Sequence, residues 1–194
     1  MKNIAIFASG RGSNALRIIE HFQDSEEVQI RLIVCNKPTA GVLEIAESQH
    51  IPTLLINRSY FYQSENILKD FAIYPIDFIV LAGFLWLIPQ YLVQAYEQRI
   101  VNIHPALLPK YGGKGMYGMH VHRAVREAGE SESGITIHYV NEQYDEGNII
   151  FQQSCPIEAD DQAEDIARKV QALEHQHFPA VIESLLIPQR QTHE

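Results

Sequence analysis

The sequence predicts an α/β protein: a Rossmann-like, mostly parallel sheet with helices on both faces and an antiparallel edge near the C-terminal half. Two observations carry this. From Asn3 to Ile103, short apolar runs alternate with segments of helical spacing. Beyond Glu130 the alternation stops, and two strand-like runs follow each other with only a polar turn between them.

The elements are read in order. Asn3–Ala8 is apolar and strand-like, and Asn14–Phe22 has helical spacing through Ala15, Ile18, Ile19 and Phe22. Val28–Cys35 reads as a strand, Val42–Gln49 as a helix and Thr53–Ile56 as a short strand, with a helix near Ser64–Ala72 after it. Asp77–Ala82 is unbroken apolar after its first residue, as a strand covered on both faces must be. A helix near Pro89–Glu97 leads to a strand at Ile100–Ile103. Gly134–Val140 and Asn148–Ser154, joined by the turn Asn141–Gly147, pair as an antiparallel hairpin at one edge. Asp161 followed by Glu164 resembles a capping box that opens a long helix, with Ile166, Val170 and Leu173 as its apolar stripe. Nothing reads as a repeat or linker, and one domain over 1–194 is expected.

Bulk properties narrow the class. The formal charge of −9 argues against nucleic-acid binding. The longest apolar run, Phe78–Ile88, is too short to cross a bilayer, and the N-terminus runs straight into a strand, so a cytoplasmic protein without membrane attachment is expected. Cys35 and Cys155 fall inside strand-like segments and read as buried thiols.

Ser9-Gly10-Arg11-Gly12-Ser13-Asn14 sits between the first strand and the first helix. Glycines there let the backbone approach a ligand, and a helix N-terminus offers free N–H groups to an anion. A dinucleotide site also needs an acid at the end of the second strand. That position reads Val34-Cys35-Asn36-Lys37, which favours a single phosphate on Gly12, Ser13 and Asn14 over NAD; a tight turn that binds nothing is the plain alternative.

Ile100-Val101-Asn102-Ile103-His104-Pro105 places Asn102 and His104 on one face of a strand, near its carboxyl end. An amide can stabilise an oxyanion and an imidazole can carry a proton. Asp145, in the following turn, is the carboxylate that would raise the His104 pKa and orient the ring, with Gly147 letting the turn bend sharply. Such a trio can also be a structural hydrogen-bonding group. His120/His122 and His175/His177 lie two apart in helical segments and point in different directions, so no metal is expected.

Taken together, Ser9–Asn14, Leu81-Ala-Gly-Phe84, Asn102-Ile-His-Pro105 with Leu107-Leu-Pro-Lys-Tyr111, Gly134-Ile-Thr-Ile-His138 and Asp145-x-Gly147-x-Ile-Ile150 resemble the phosphoribosylglycinamide formyltransferase family across nearly the whole chain. The resemblance implies direct attack of the amine of glycinamide ribonucleotide on the formyl carbon of 10-formyltetrahydrofolate, the third step of purine synthesis. It implies that Asn102 stabilises the tetrahedral oxygen, His104 donates a proton and Asp145 organises the transfer. Gly12, Ser13 and Asn14 would hold the phosphate, with Lys110 as a nearby cation beside Lys114 and Arg123; Gln171 and Glu174 would contact the amine or ribose. The folate would lie against Ser64, Leu85, Trp86, Leu87, Ile88, Asn102, Val140 and Asp145. Family members often carry Arg at position 86, and some carry one where this chain has Ser64, so those folate contacts differ here. The loop Gly112–Gly118 reads as a candidate lid. Only small-molecule partners are implied, with the chain a monomer or homodimer. The alternatives are another folate formyltransferase or hydrolase, whose tRNA-directed and hydrolytic forms need further domains, and a nucleotide-sensing module without chemistry.

Overall fold

The structure, a computed structural model, describes residues 1–187; residues 188–194, and with them the end of the expected domain, lie outside the described residues. Seven strands form one sheet in the order β3-β2-β1-β4-β5-β6-β7. They are β1 (Lys2–Ala8), β2 (Val28–Cys35), β3 (Thr53–Leu55), β4 (Phe78–Leu81), β5 (Ile100–His104), β6 (Glu132–Tyr139) and β7 (Ile149–Pro156). β1 to β5 run parallel, and β6 and β7 run antiparallel to their neighbours, so the edge expected from the sequence is present.

Strand periodicity explains the two-faced core. Along β1, Ile4, Ile6 and Ala8 point to one side, and Ala5 and Phe7 to the other, all fully buried. The first side is covered by α1 (Ser13–Phe22), α2 (Val42–Ser48), α6 (Met119–Glu127) and α7 (Ala163–Leu186). The second is covered by α3 (Arg58–Tyr62), α4 (Asn66–Ile73) and α5 (Gln90–Ala95). On that side Phe7 meets the Phe71 and Phe84 rings edge-on, at centroid distances of 6.1 and 5.2 Å.

Three expectations need correction. α3 is absent from the sequence reading: its five residues, Arg-Ser-Tyr-Phe-Tyr, are too few for a helical period, and it is started by Asn57, whose side chain accepts the Tyr60 N–H at 2.9 Å. α7 is capped one residue later than expected. Gln162 is the N-cap, and its N–H donates to the Asp165 carboxylate at 2.8 Å. Asp161 instead accepts the Glu158 N–H and pairs with Lys169. Finally, Gly147 does not supply a positive φ; that conformation falls on Asp145, at φ 57°.

The site depends on two features of this arrangement. The order in which strands are added reverses between β1 and β4, with β2 and β3 on one side and β5 on the other, so the loops at their carboxyl ends part and open a crevice, the place where open α/β sheets bind ligands. The two loops are also tied at the base of the crevice. The Ser9 N–H donates to the Gly83 carbonyl at 3.1 Å, and the Ser9 hydroxyl accepts the Leu85 N–H at 3.0 Å.

What Gly147 provides is room. A Cβ there would lie 1.6 Å from the Tyr139 carbonyl oxygen. Gly147→Ala therefore must open the β6–β7 turn. The expected loss is about 1–3 kcal/mol in urea unfolding, well beyond a typical loop substitution; unchanged stability would show that the turn has space.

Candidate functional site

A cleft of about 970 Å³ runs along the carboxyl ends of β1, β4 and β5. Its first wall is the loop into α1. Gly12 sits at φ 81°, and a Cβ on it would fall 2.8 Å from the Val42 Cβ, so both the turn and the packing of α2 require glycine. The first N–H groups of α1 have no partner within the helix and face this end of the cleft. α7 crosses the same point. Asn14 donates its amide N–H to Glu174 Oε2 at 2.9 Å, and Gln171 donates to the Ser13 hydroxyl at 3.3 Å. Glu174 is partly buried, which pushes its pKa up to about 7, with the Asn14 amide pulling it back.

The centre of the cleft holds Asn102, His104 and Asp145. β5 presents Asn102 and His104 two residues apart on the same face, with His104 only 3% exposed. The turn after β6 delivers Asp145. Its Oδ2 accepts the Gly113 N–H at 2.9 Å and lies 3.5 Å from His104 Nδ1, while its Oδ1 lies 3.4 Å from the Asn102 amide nitrogen. The other ring nitrogen, His104 Nε2, is 2.7 Å from the Tyr111 carbonyl, so Nε2 carries a proton. A second proton, on Nδ1, would face Asp145.

The pKa of His104 corrects one expectation. Burial is the largest influence and pushes it down; Asp145 and the Tyr111 carbonyl push it up, and His138 pushes it down again. The net result lies below the ordinary histidine value, so Asp145 offsets part of a desolvation cost and does not make the ring a stronger base than usual. Asp145 itself is held below its ordinary value. Burial works against that, and the neighbouring His138, His104 and Gly113 N–H outweigh it.

Most expected positions converge. Gly12, Ser13, Asn14, Gln171 and Glu174 line one end, and Leu85, Trp86, Leu87, Ile88 and Val140 line the other, with Asn102, His104 and Asp145 between them. Lys114 lines the cleft with residues 113–118, whereas Arg123 does not. Lys110 and Ser64 also lie away from it. Lys110 pairs with Glu130 at 2.9 Å, and the Ser64 hydroxyl donates to the Tyr60 carbonyl at 2.8 Å.

The sequence reading gave two histidines no place in the site. His138 is paired with Asn102 across β5 and β6, and its Nε2 sits 3.1 Å from the Asn102 amide nitrogen. Its Nδ1 is 2.8 Å from the Tyr139 carbonyl, which fixes Nδ1 as the donor and leaves Nε2 to accept from Asn102. His138 therefore sets the direction of the amide. Antiparallel pairing of the two strands was the signal available for it, but register is not fixed by sequence alone. His122, 6% exposed on α6, also lines the cleft, and its Nδ1 has no hydrogen-bond partner among the described residues.

The chain is similar to known proteins in sequence and fold. A family model described as formyl transferase matches residues 2–182. The chain is 43% identical over 187 residues to a chloroplastic phosphoribosylglycinamide formyltransferase of Arabidopsis thaliana, covering 93% of this chain and 64% of that protein. It thus spans just under two thirds of that plant relative. A Bacillus subtilis phosphoribosylglycinamide formyltransferase is 39% identical over 193 residues, covering 96% of this chain and 95% of the relative. The crystal structure of phosphoribosylglycinamide formyltransferase from Bacillus halodurans superposes with a TM-score of 0.86 at 37% identity, covering 98% of each chain.

Glu174 gives a pH-dependent prediction. Its folded pKa of about 7 is above the 4.5 ordinary for a glutamate, so folding favours the neutral acid. The stability this contributes is intact below 4.5 and is lost as pH rises through 7. Glu174→Gln keeps a neutral group at every pH. It should match the parent near pH 4.5 and exceed it at pH 8 by about 1–3 kcal/mol, read from denaturant midpoints at both pH values. A gap that is the same at both would reject the buried-carboxylate account.

Proposed function

The chain belongs to the formyl transferase family, among the phosphoribosylglycinamide formyltransferases, and we propose that it moves the formyl group of 10-formyltetrahydrofolate to the amine of glycinamide ribonucleotide. The observation that carries this is the placing of an amide, an imidazole and a carboxylate between a phosphate-binding loop and an apolar wall in one cleft. The ribonucleotide phosphate lies on Gly12, Ser13 and Asn14. Glu174 and Gln171, held against Asn14 and Ser13, meet its ribose and amine. The pterin lies against Leu85, Trp86, Leu87, Ile88 and Val140.

The reaction requires no acyl-enzyme. The substrate amine attacks the formyl carbon, and the carbonyl electron pair moves onto oxygen. Asn102 donates an N–H to that oxygen, with its amide already directed by His138. The bond from carbon to folate N10 then breaks; N10 takes up a proton and the attacking nitrogen gives one up. His104, protonated on the side facing Asp145, supplies the proton, and the carboxylate stabilises the imidazolium that does so. The cleft is large enough to hold both substrates at once, as direct transfer needs.

On this reading residues 1–194 form one domain acting in purine synthesis. It works in the cytoplasm on small molecules alone, as a monomer or homodimer, without a metal. No helix among the described residues is long and apolar enough to cross a membrane.

The test is a coupled assay with glycinamide ribonucleotide and 10-formyltetrahydrofolate, following formylated product and free tetrahydrofolate. His104→Gln and Asp145→Asn should each lower kcat by about 10²–10⁴-fold while ligand affinities measured by calorimetry stay within about threefold. Release of tetrahydrofolate by the parent at the same rate with and without the ribonucleotide, and with no formylated product, would indicate a hydrolase and defeat the assignment.

A further inference from the structure

His104 and Asp145 are both held from one short segment, residues 110–113. The Tyr111 carbonyl accepts from His104 Nε2 at 2.7 Å, and the Gly113 N–H donates to Asp145 Oδ2 at 2.9 Å. The two contacts are two residues apart on one backbone, so a rotation of that backbone disturbs the imidazole and the carboxylate together. Gly112 between them is closely packed. A Cβ on it would fall 2.6 Å from Leu108 Cδ2 and 3.3 Å from the Asp145 Cβ.

The segment is held in a conformation it would not choose alone. Tyr111 has φ 57°, in the left-handed region, where a bulky residue persists only if its surroundings hold it. Its side chain packs, partly buried, against the main core, and its hydroxyl donates to Glu130 Oε1 at 2.8 Å. The same oxygen takes Lys110 Nζ at 2.9 Å. Glu130 lies between α6 and β6, and Lys110 and the Tyr111 hydroxyl hold its carboxyl below the ordinary range, as an ionised acceptor. Neither Glu130 nor Tyr111 lines the cleft.

We propose that Glu130 is a positioning residue for the reaction: by fixing the Tyr111 side chain it fixes the Tyr111 carbonyl, and so decides which nitrogen of His104 carries the proton in the neutral ring. The effect on rate rests on the proposed formyl transfer; the effect on the ring does not.

A neutral imidazole carries one proton. With that proton on Nε2 and given to the carbonyl, Nδ1 beside Asp145 is the nitrogen that takes up and releases the second. If the carbonyl turned away, a ring with its one proton on Nδ1, directed at Asp145, would compete. Its free nitrogen would then point away from the carboxylate. An exposed ion pair by itself adds little stability. The weight of Glu130 is geometric: it grips two consecutive side chains and so sets the twist of the backbone that carries them.

Besides the Tyr111 carbonyl, His104 is faced by Asp145 from the turn after β6, His138 on β6 and His122 on α6. Burial lowers its pKa most, and Asp145 and the carbonyl oppose that. Loss of the carbonyl therefore lowers the pKa further. His104 acts as the proton donor, so kcat, which falls as the ring deprotonates, would fall at a lower pH.

The experiment reads the histidine tautomers by ¹⁵N–¹H NMR, with the His104 signals assigned by their loss in His104→Gln, and runs the transfer assay beside it. The parent should show His104 with its proton on Nε2. Glu130→Ala and Tyr111→Phe should each show a mixture, lower kcat about tenfold, leave KM for both substrates within about twofold and move the alkaline fall of kcat to lower pH. Glu130→Gln keeps an acceptor for the phenol and should stay within about twofold of the parent. The double variant Glu130→Ala/Tyr111→Phe should be no slower than the slower single, since both break one contact. An unaltered His104 tautomer in Glu130→Ala overturns the proposal. So do multiplying losses in the double variant, or a Glu130→Gln as slow as Glu130→Ala. No transfer by the parent, with the tautomer shifting as stated, rejects the formyltransferase reaction and upholds the positioning; transfer with the tautomer unmoved rejects the positioning alone.

Discussion

The carboxylate of Asp145 joins four parts of the chain. One oxygen takes the Gly113 N–H from the loop after β5 and faces His104 on β5 itself. The other faces Asn102 and His138 on neighbouring strands. This requires Asp145 to adopt a left-handed backbone conformation at φ 57°, an arrangement that favours small polar residues and costs energy without compensation. The compensation is the Gly113 N–H and the Asn102 amide N–H that face the carboxylate, with the His104 ring beside them. A turn that would otherwise be a loose hairpin connection is tied to the strand bearing the imidazole, and the geometry proposed for catalysis and the turn geometry become one constraint.

The same constraint explains why the antiparallel edge matters. In a fully parallel sheet the strand after β5 would leave its carboxyl end beside that of β5, and the next loop would be a crossover. Here β6 returns beside β5, so His138 faces Asn102 directly and the β6–β7 turn folds over the active end. Thr136, fully buried, accepts the Leu108 N–H and donates to the Ala106 carbonyl. The segment leaving His104 is thereby anchored to β6 as well.

Much of the fold was legible because the pattern is strong wherever a strand is buried on both faces. β2 runs from Val28 to Cys35 as the apolar run indicated, and the parallel strands sit where the unbroken apolar stretches fall. Legibility failed where a local group decides the outcome. α3 depends on one asparagine cap, and the start of α7 depends on whether Asp161 or Gln162 is drawn into the helix; Asp161 is taken instead by Lys169. In the site, Asn102 and His104 could be found from their alternation on one strand. His138 could not, because it acquires its meaning from the register between distant strands. Lys110 illustrates the opposite failure: a cation near the motif in sequence is drawn off by Glu130.

On the proposed reading, the phosphate would meet backbone N–H groups and the start of a helix, which cost no side-chain freedom and place no full charge inside an acidic protein. Next to it sits Glu174, a carboxyl raised to about 7 by burial. A nearby lysine or arginine would have drawn that carboxyl down and filled the space a ribose needs. Leaving it without a cationic partner costs stability near neutral pH but keeps a strong acceptor ready for hydroxyl or amine donors, and the binding of such donors repays the cost. The cleft is therefore least stable at the point where its ligand would contribute most, and ligand binding and folding are coupled through one side chain.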